Sequence, residues 1–401
     1  YLALSYRVGN WEFFANGTIN HNNSLAKGVT TNTLIYEGKA TVVGSSQHNT
    51  YPTTTGVVKA GFNYANGPQS FGAYYRYNPE RGDFNNTGSE WLNDNPAISS
   101  NIDKHTRSHS HLASLYYENT FAEKYLLHID GDFRRSNESN AVATTYPASS
   151  HPTVNSTDER VSTLWAGKLY LNFPLWNGDF TVGTQDSYTH TSLDYRMLNT
   201  SVSEYIPSSM TDARQTSAAL FASWSRMFGK FSLSAGARYE YVDYDFKVDG
   251  KRSEEVSRRD HLLTPDVSVG YSFNDESQIS LSYKMATVKP PYSKLTGSLS
   301  YTGLHQIEGG NSGLRDERMH DIQFFSMWKG FMFQADYTRA LDTYAYVKQL
   351  YPADNLQLIM HPVNIDVSAL SLYLVWSKPV RRCQPTAESH CEDQHQNHNS
   401  H

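Results

Sequence analysis

Side chains that could do chemistry are plentiful in this sequence, so their spacing has to decide. His105, His109 and His111 sit in the run Lys104-His105-Thr106-Arg107-Ser108-His109-Ser110-His111. Imidazoles two apart on a strand point to one side and can share a metal. A zinc site wants three protein ligands in tetrahedral array, and a polar strand entering a loop explains the same residues more simply. Cys383 and Cys391 lie in a His-rich stretch, at a spacing that fits no zinc motif. No metal ligand and no cofactor are assigned. The sequence holds no Gly-x-Ser-x-Gly, His-Glu-x-x-His or phosphate-loop pattern. Ser, His and Asp are abundant, but a nucleophile needs a base within hydrogen-bond reach, and abundance does not supply that. No catalytic residue is assigned, and the chain is expected not to be an enzyme.

Two other sets remain. Asp130, Asp132, Arg134, Arg238, Glu240, Lys284 and Asp336 occupy alternate positions within short segments. They could be a charge ladder that solvates an aqueous interior, or a path for a polar substrate. Trp91, Tyr146, Tyr205, Tyr292, Tyr301 and Tyr351 stand in polar stretches between such segments. They could stack on a sugar or chelate, or simply pack their own loops.

The elements that carry these residues show a period of two. Phe231, Leu233, Ala235, Ala237, Tyr239 and Tyr241 alternate with Ser232, Ser234, Gly236, Arg238 and Glu240. Val267, Val269, Tyr271 and Phe273 repeat the pattern, as do Ile279, Leu281, Tyr283 and Met285. Each is a strand with one apolar and one polar face. Tight turns such as Gly9-Asn10, Asn66-Gly67 and Lys329-Gly330 join strands at one end. Long polar stretches, including 78–104, 137–160, 191–214 and 287–317, join them at the other. The pattern is expected to give an all-β protein, an antiparallel transmembrane β-barrel of about 16 strands.

Composition agrees with this. Mean hydropathy is -0.58, and no apolar run approaches the ~20 residues of a membrane helix. Aromatic residues make up 13%, with 28 Tyr, which suits the interfacial girdles of a barrel. A net charge of -6 without basic blocks argues against a nucleic-acid partner. Residues 1–382 form the expected barrel region, and 383–401 are expected to be a disordered polar tail.

Three runs resemble one family. They are Ala235-Gly236-Ala237-Arg238-Tyr239-Glu240, then Leu281-Ser282-Tyr283-Lys284 leading to Lys289-Pro290-Pro291-Tyr292, and Gly310-Asn311-Ser312-Gly313-Leu314-Arg315-Asp316-Glu317. They resemble strand and loop-to-strand motifs of TonB-dependent outer-membrane receptors, in the branch called the outer membrane protein beta-barrel family. Ser312 and Asp316 stand where that family usually has proline. The resemblance implies a fragment of a 22-stranded barrel in the cell outer membrane. It implies outer-membrane lipid, a plug domain of the intact protein and a TonB-type energy transducer as partners, and a surface lipoprotein as a further possible one. The implied function is energised uptake of an iron chelate, cobalamin or glycan. A passive porin-like barrel and a secreted all-β binding protein are the alternatives. If strands are missing, the sheet is expected to stay open between its first and last strands.

Far-UV circular dichroism of the folded chain should show strand with almost no helix. A helix content near the ~30% common in globular proteins would contradict this assignment.

Overall fold

Tight turns along one rim set the register of the whole sheet. Gly9, Gly67, Gly229 and Gly330 take positive φ (55°, 56°, 59° and 87°) at four of them. Lys329 joins Gly330 at positive φ (45°). That left-handed pair matches the twist of the flanking strands in a two-residue hairpin. A Cβ at residue 330 would fall 2.3 Å from the Ser377 carbonyl oxygen, so glycine is also required there sterically.

The computed structural model describes residues 1–36, 39–147, 149–199, 202, 206–295, 299–351 and 354–377. Its strands are β1 (Leu2–Val8), β2 (Trp11–Tyr36), β3 (Lys39–Asn66), β4 (Gln69–Leu92), β5 (Ile98–Phe121), β6 (Tyr125–Thr145), β7 (Val154–Leu175), β8 (Gly178–Met197) and β9 (Ser209–Phe228). They continue as β10 (Phe231–Val248), β11 (Lys251–Arg252), β12 (Arg259–Asn274), β13 (Ser277–Val288), β14 (Leu299–Gly303), β15 (Gln306–Gly309), β16 (Glu317–Trp328), β17 (Phe331–Tyr351) and β18 (Asp354–Trp376). One four-residue helix, α1 (Tyr292–Leu295), lies between β13 and β14. The expected tail at 383–401 lies outside the described residues.

The sheet has 18 strands where about 16 were expected. Consecutive long strands pair antiparallel from β1 to β10, then through β12, β13, β16, β17 and β18. Several stretches expected as long loops are strand instead. β4 runs on to Leu92 and β5 resumes at Ile98; β6 reaches Thr145 and β7 resumes at Val154. These extensions are rich in Asn, Ser and Thr. Both faces of a strand projecting past an apolar band can be polar, so the alternation fades while the ladder continues. β3 has 28 residues, far more than the ~10 that span a bilayer.

Register links each face around the sheet. Leu233, Val269, Leu281, Phe324, Ala335 and Leu372 are successive cross-strand partners. Three positions along, Gly236, Asp266, Lys284, Asp321 and Thr338 form a corresponding row on the opposite face. On the apolar face Phe231, Val267, Val269, Leu281, Phe333 and Leu374 are exposed.

Among the described residues no ladder joins β1 to β18. β1 pairs with β2, and β18 pairs with β17 and, through three residues, with β15. The sheet is open, as the sequence led us to expect.

Substitution should separate the two faces. Leu281→Arg should destabilise the chain folded in lipid vesicles by about 2–4 kcal/mol in a urea titration, and Ser282→Arg by at most about 1 kcal/mol. Equal losses would mean that the apolar face does not meet lipid.

Candidate functional site at the bridged mouth

The stretch between β13 and β16 does not project away from the sheet. It crosses from one side of it to the other, and its contacts trace the path. Lys289 Nζ donates to Glu240 Oε1 on β10 at 2.8 Å. Leu295 and Leu314 are buried with Ala213, Phe246 and Val256. Ile307 on β15 is fully buried with Val154, Tyr195, Met197 and Ile206. Leu304 N donates to Glu90 Oε2 on β4 at 2.9 Å, and His305 N to the same oxygen at 3.4 Å. β15 then runs parallel to Leu358–Met360 of β18. One short segment can reach β4, β7, β10 and β18 together only from the concave side, which makes its side of the sheet the inner face.

Local sequence explains the path. Pro290 and Pro291 stop β13 and cannot donate to a ladder. Arg258 Nη2 pairs with Asp316 Oδ1 at 2.7 Å, and its Nη1 donates to the Leu314 carbonyl at 3.2 Å. Asp316 thus has a partner that the proline usual at this motif position could not provide. The segment leaves toward β16 past Asp342, a buried carboxylate held by Arg315 at 2.6 Å and Arg318 at 2.8 Å.

Burial and charge set the electrostatics here. Burial holds the Glu90 carboxyl above its ordinary 4.5, against the pull of the two amides that donate to it. Burial likewise raises Asp316, with Arg258 opposing. Lys348 is lowered by burial, where it lines a cavity of about 120 Å³ with Glu90, Ser100 and Thr302. Burial pulls Lys294 down, but Glu308 at 2.8 Å and Tyr346 hold it above its ordinary value.

Two larger polar cavities adjoin each other at Glu138 and Arg160, and the smaller of them is also lined by the segment. One of about 520 Å³ is lined by Arg76, Arg134, Arg160, Glu80 and Glu138. The other, about 320 Å³, shares Glu138 and Arg160 and adds Asn140, Asp158, Lys294 and Glu308. Both are in the size range of small-molecule sites. Both signs of charge are present, so the pair suits a polar ligand that carries both donors and acceptors.

The seven charged candidates share the inner face. Asp130 pairs in register through Lys168, Gln185 and Ala219 to Glu240, and Asp132 and Arg134 follow on the same strand. Arg238 donates to Gln185 Oε1 at 3.1 Å and contacts Glu240 at 3.3 Å. Asp336 connects through Gln323, Ser282 and Ser268 to Ser234, two residues from the Gly236–Asp266–Lys284 row. Arg134 lines the larger cavity, and Glu240 anchors the crossing segment. Glu90, Lys289, Lys294, Glu308, Arg258 and Asp316 were missed as site residues. Only the motif runs around Lys289 and Asp316 gave a sequence signal.

The aromatic candidates separate. Tyr146 and Tyr301 meet hydroxyl to hydroxyl between the end of β6 and the crossing segment. Trp91 has the parity of Tyr75, opposite to Glu90, and lies over Gly44, where a Cβ would collide with the indole. Tyr292 lies in α1, Tyr351 ends β17, and Tyr205 falls outside the described residues. The histidines have separate partners: His105 with Asp83 at 2.7 Å, His109 with Asn137 at 3.1 Å and His111 with Tyr75 at 2.5 Å. Among the described residues no group of three or more ligating side chains could hold one metal ion.

Comparison with known proteins follows the geometry. The model of the family described as "Outer membrane protein beta-barrel family" matches residues 119–382. No curated protein matches the chain. Among solved structures, the copper transporter OprC is similar with a TM-score of 0.58 at 9% identity, over 92% of this chain and 59% of its own. The ferric yersiniabactin uptake receptor FyuA from Yersinia pestis gives 0.51 at 12%, over 91% and 58%. FpvAI, solved in complex with pyocin S2, gives 0.52 at 11%, over 91% and 54%. The chain therefore spans little more than half the length of each of these structures, and at these identities the likeness is one of fold.

Glu90 provides a pH test. Its folded pKa is raised, so the folded state holds the proton more tightly than the unfolded one. Its contribution is fully present below 4.5, the ordinary value, and is lost as pH rises through the raised one. Glu90→Gln keeps an acceptor without the charge and should flatten the pH dependence of Leu304 amide exchange. Glu90→Ala should lower Leu304 protection, taken relative to the intrinsic exchange rate, by roughly tenfold at pH values above the raised pKa, where the ionised carboxylate makes a charge-assisted hydrogen bond, and by less below it.

Proposed function

Because the chain belongs to the outer membrane protein beta-barrel family, we propose that it is the barrel portion of a TonB-dependent receptor that takes up a polar nutrient through its lumen. It resides in the outer membrane and is a transport barrel by family. The observation that carries the finer reading is the segment at 289–316, which bridges the mouth and is tied to the inner face at Glu240 and Glu90. A passive pore needs an open path. A receptor that admits its substrate only when energised needs the path obstructed at rest.

In this reading the inner face is the lumen wall. Asp130, Asp132, Arg134, Arg238, Glu240, Lys284 and Asp336 keep it hydrated. The cavities around Arg76, Arg134, Arg160 and Glu138 hold the substrate's polar groups, and Tyr146 and Tyr301 stand at the entrance. The substrate classes are an iron chelate, another metal complex, cobalamin or a glycan. Metal-related transport in two structural neighbours, OprC and FyuA, favours the chelates. A plug domain and an energy transducer belong to the whole protein, and a surface lipoprotein is a further candidate partner.

The test is uptake by cells that carry the intact gene, using labelled ferric chelate, cobalamin and oligosaccharide in turn. At least one probe should accumulate, and a protonophore should abolish its accumulation. Accumulation that survives the protonophore would make this a passive barrel. Accumulation of none would remove the uptake role.

A further inference from the structure

The outer face of β4, β5 and β6 combines two features that the uptake reading does not use. The first is an apolar groove of about 710 Å³. Its floor is small, formed by Ala60, Ala73, Ala113 and Gly131, and Leu115 and Trp165 stand beside it. Leu115 and Trp165 are 55% and 57% exposed, so none of the described residues covers them. Gly131 is part of the hollow, because a Cβ there would touch the Leu115 side chain at 3.4 Å.

The second feature is a basic cluster on the same strands and the same face. Arg135 follows Phe133 of the groove by two residues, about 7 Å along the strand. Arg81 and Arg107 are direct cross-strand partners farther up. Like charges placed directly opposite each other are destabilising unless something lies between or above them. Among the described residues none of the three arginines has an ion-pair partner within the chain. Asp83 is bonded by His105 at 2.7 Å, and its charge also acts on Arg81 and Arg107, so a single carboxylate faces two guanidinium groups and an imidazole there. Glu159 lies one strand away, beside Ser139. His111 adds a ring next to Arg135, its cross-strand partner, and is held by Tyr75 at 2.5 Å.

We propose that this surface binds one phosphate-bearing lipid of the surrounding membrane, its acyl chain in the groove over Ala73, Ala113 and Gly131 and its phosphate on Arg135, Arg81 and Arg107. The occupant follows from the order of the two features. A hollow of small residues with aromatic and aliphatic walls accepts a hydrocarbon chain. Guanidinium groups farther along the same strands, Arg135 first and the Arg81–Arg107 pair four residues beyond it, offer phosphate oxygens charge-assisted hydrogen bonds. A soluble anion would have no use for the groove, and a neutral lipid would leave the exposed Arg135 without a counter-charge. The position also agrees with the membrane boundary, where aromatic side chains such as Tyr75 and Tyr77 give way to charged ones.

Native mass spectrometry of the full chain in neutral micelles, titrated with dipalmitoyl phosphatidic acid, tests this. One lipid should be retained above the background of further adducts. The Arg81→Gln/Arg107→Gln/Arg135→Gln variant should weaken retention by roughly tenfold or more, the effect of losing charge-assisted contacts. Ala113→Trp, which fills the groove and leaves the arginines, should weaken it as well. Inorganic phosphate should not compete. Heat-modifiable migration on gels confirms that each variant is folded, and Arg259→Gln, elsewhere on the outer face, controls for general charge. Retention unchanged in the triple variant, equal loss in the Arg259 control, or displacement by phosphate alone would overturn the proposal.

Discussion

Parity along the strand is the constraint on which this structure depends. A strand places successive side chains on opposite faces, and a hydrogen-bonded ladder passes that choice to its neighbour. The tight turns at Gly9, Gly67, Gly229 and Lys329-Gly330 fix the first pair of each hairpin, and everything above inherits the phase. A slip of one residue at Gly229 would turn Arg238 and Glu240 outward and Leu233 and Tyr239 inward. The lipid face would then carry charge, at about 2–4 kcal/mol for each cation at mid-membrane depth. The energy that specifies the fold is thus concentrated in register, since a single sheet has no conventional core to enforce it.

What core there is belongs to the crossing segment. Ile307, Leu295 and Leu314 are each fully buried, Ile307 in one small cluster and Leu295 with Leu314 in a second, against different strands. Burial of such side chains contributes about 1.5–3 kcal/mol apiece. Polar ties at Glu240, Glu90 and Arg258–Asp316 then orient a segment that apolar contacts alone would leave free to slide. The contacts that hold this segment across the inner face are few and separable, so it can shift locally without unfolding the sheet. Glu90 is the tie most easily altered, because its buried carboxyl accepts the amides of a chain segment from more than two hundred residues away.

The sequence made the two faces legible because lipid imposes the strictest alternation known to strands. Alternation alone assigns Phe231, Leu233, Val267 and Leu281 to one side and Arg238, Lys284 and Asp336 to the other. The strand extensions were not legible for the converse reason. In stretches such as Asn85 to Leu92 both faces are wet or lie against other loops, so no period survives to distinguish a paired strand from a loop. The site was only half visible. Arg134 and Glu240 stood out as charges within apolar alternation, whereas Glu90 and Lys294 lie in polar runs where a charge is unremarked. Trp91 and Tyr146 looked equivalent as loop aromatics. Parity and a single long-range contact place one over Gly44 and the other against Tyr301.

The open edge follows from the same rule. β1 pairs only through β2, and all seven of its residues are exposed. The lower half of β18 likewise has a neighbour on one side only, with Leu370, Leu372 and Leu374 between 62% and 72% exposed. Each unpaired backbone group in hydrocarbon costs several kcal/mol, so two bare edges of this length exceed the ~5–15 kcal/mol net stability of an ordinary domain. Contraction would satisfy the edges only by changing strand tilt and diameter together. That change would shear the crossing segment, whose contacts reach β4 and β18 at fixed separation. In lipid the two edges are therefore the costliest feature of the sheet, and the crossing segment opposes their closing by contraction.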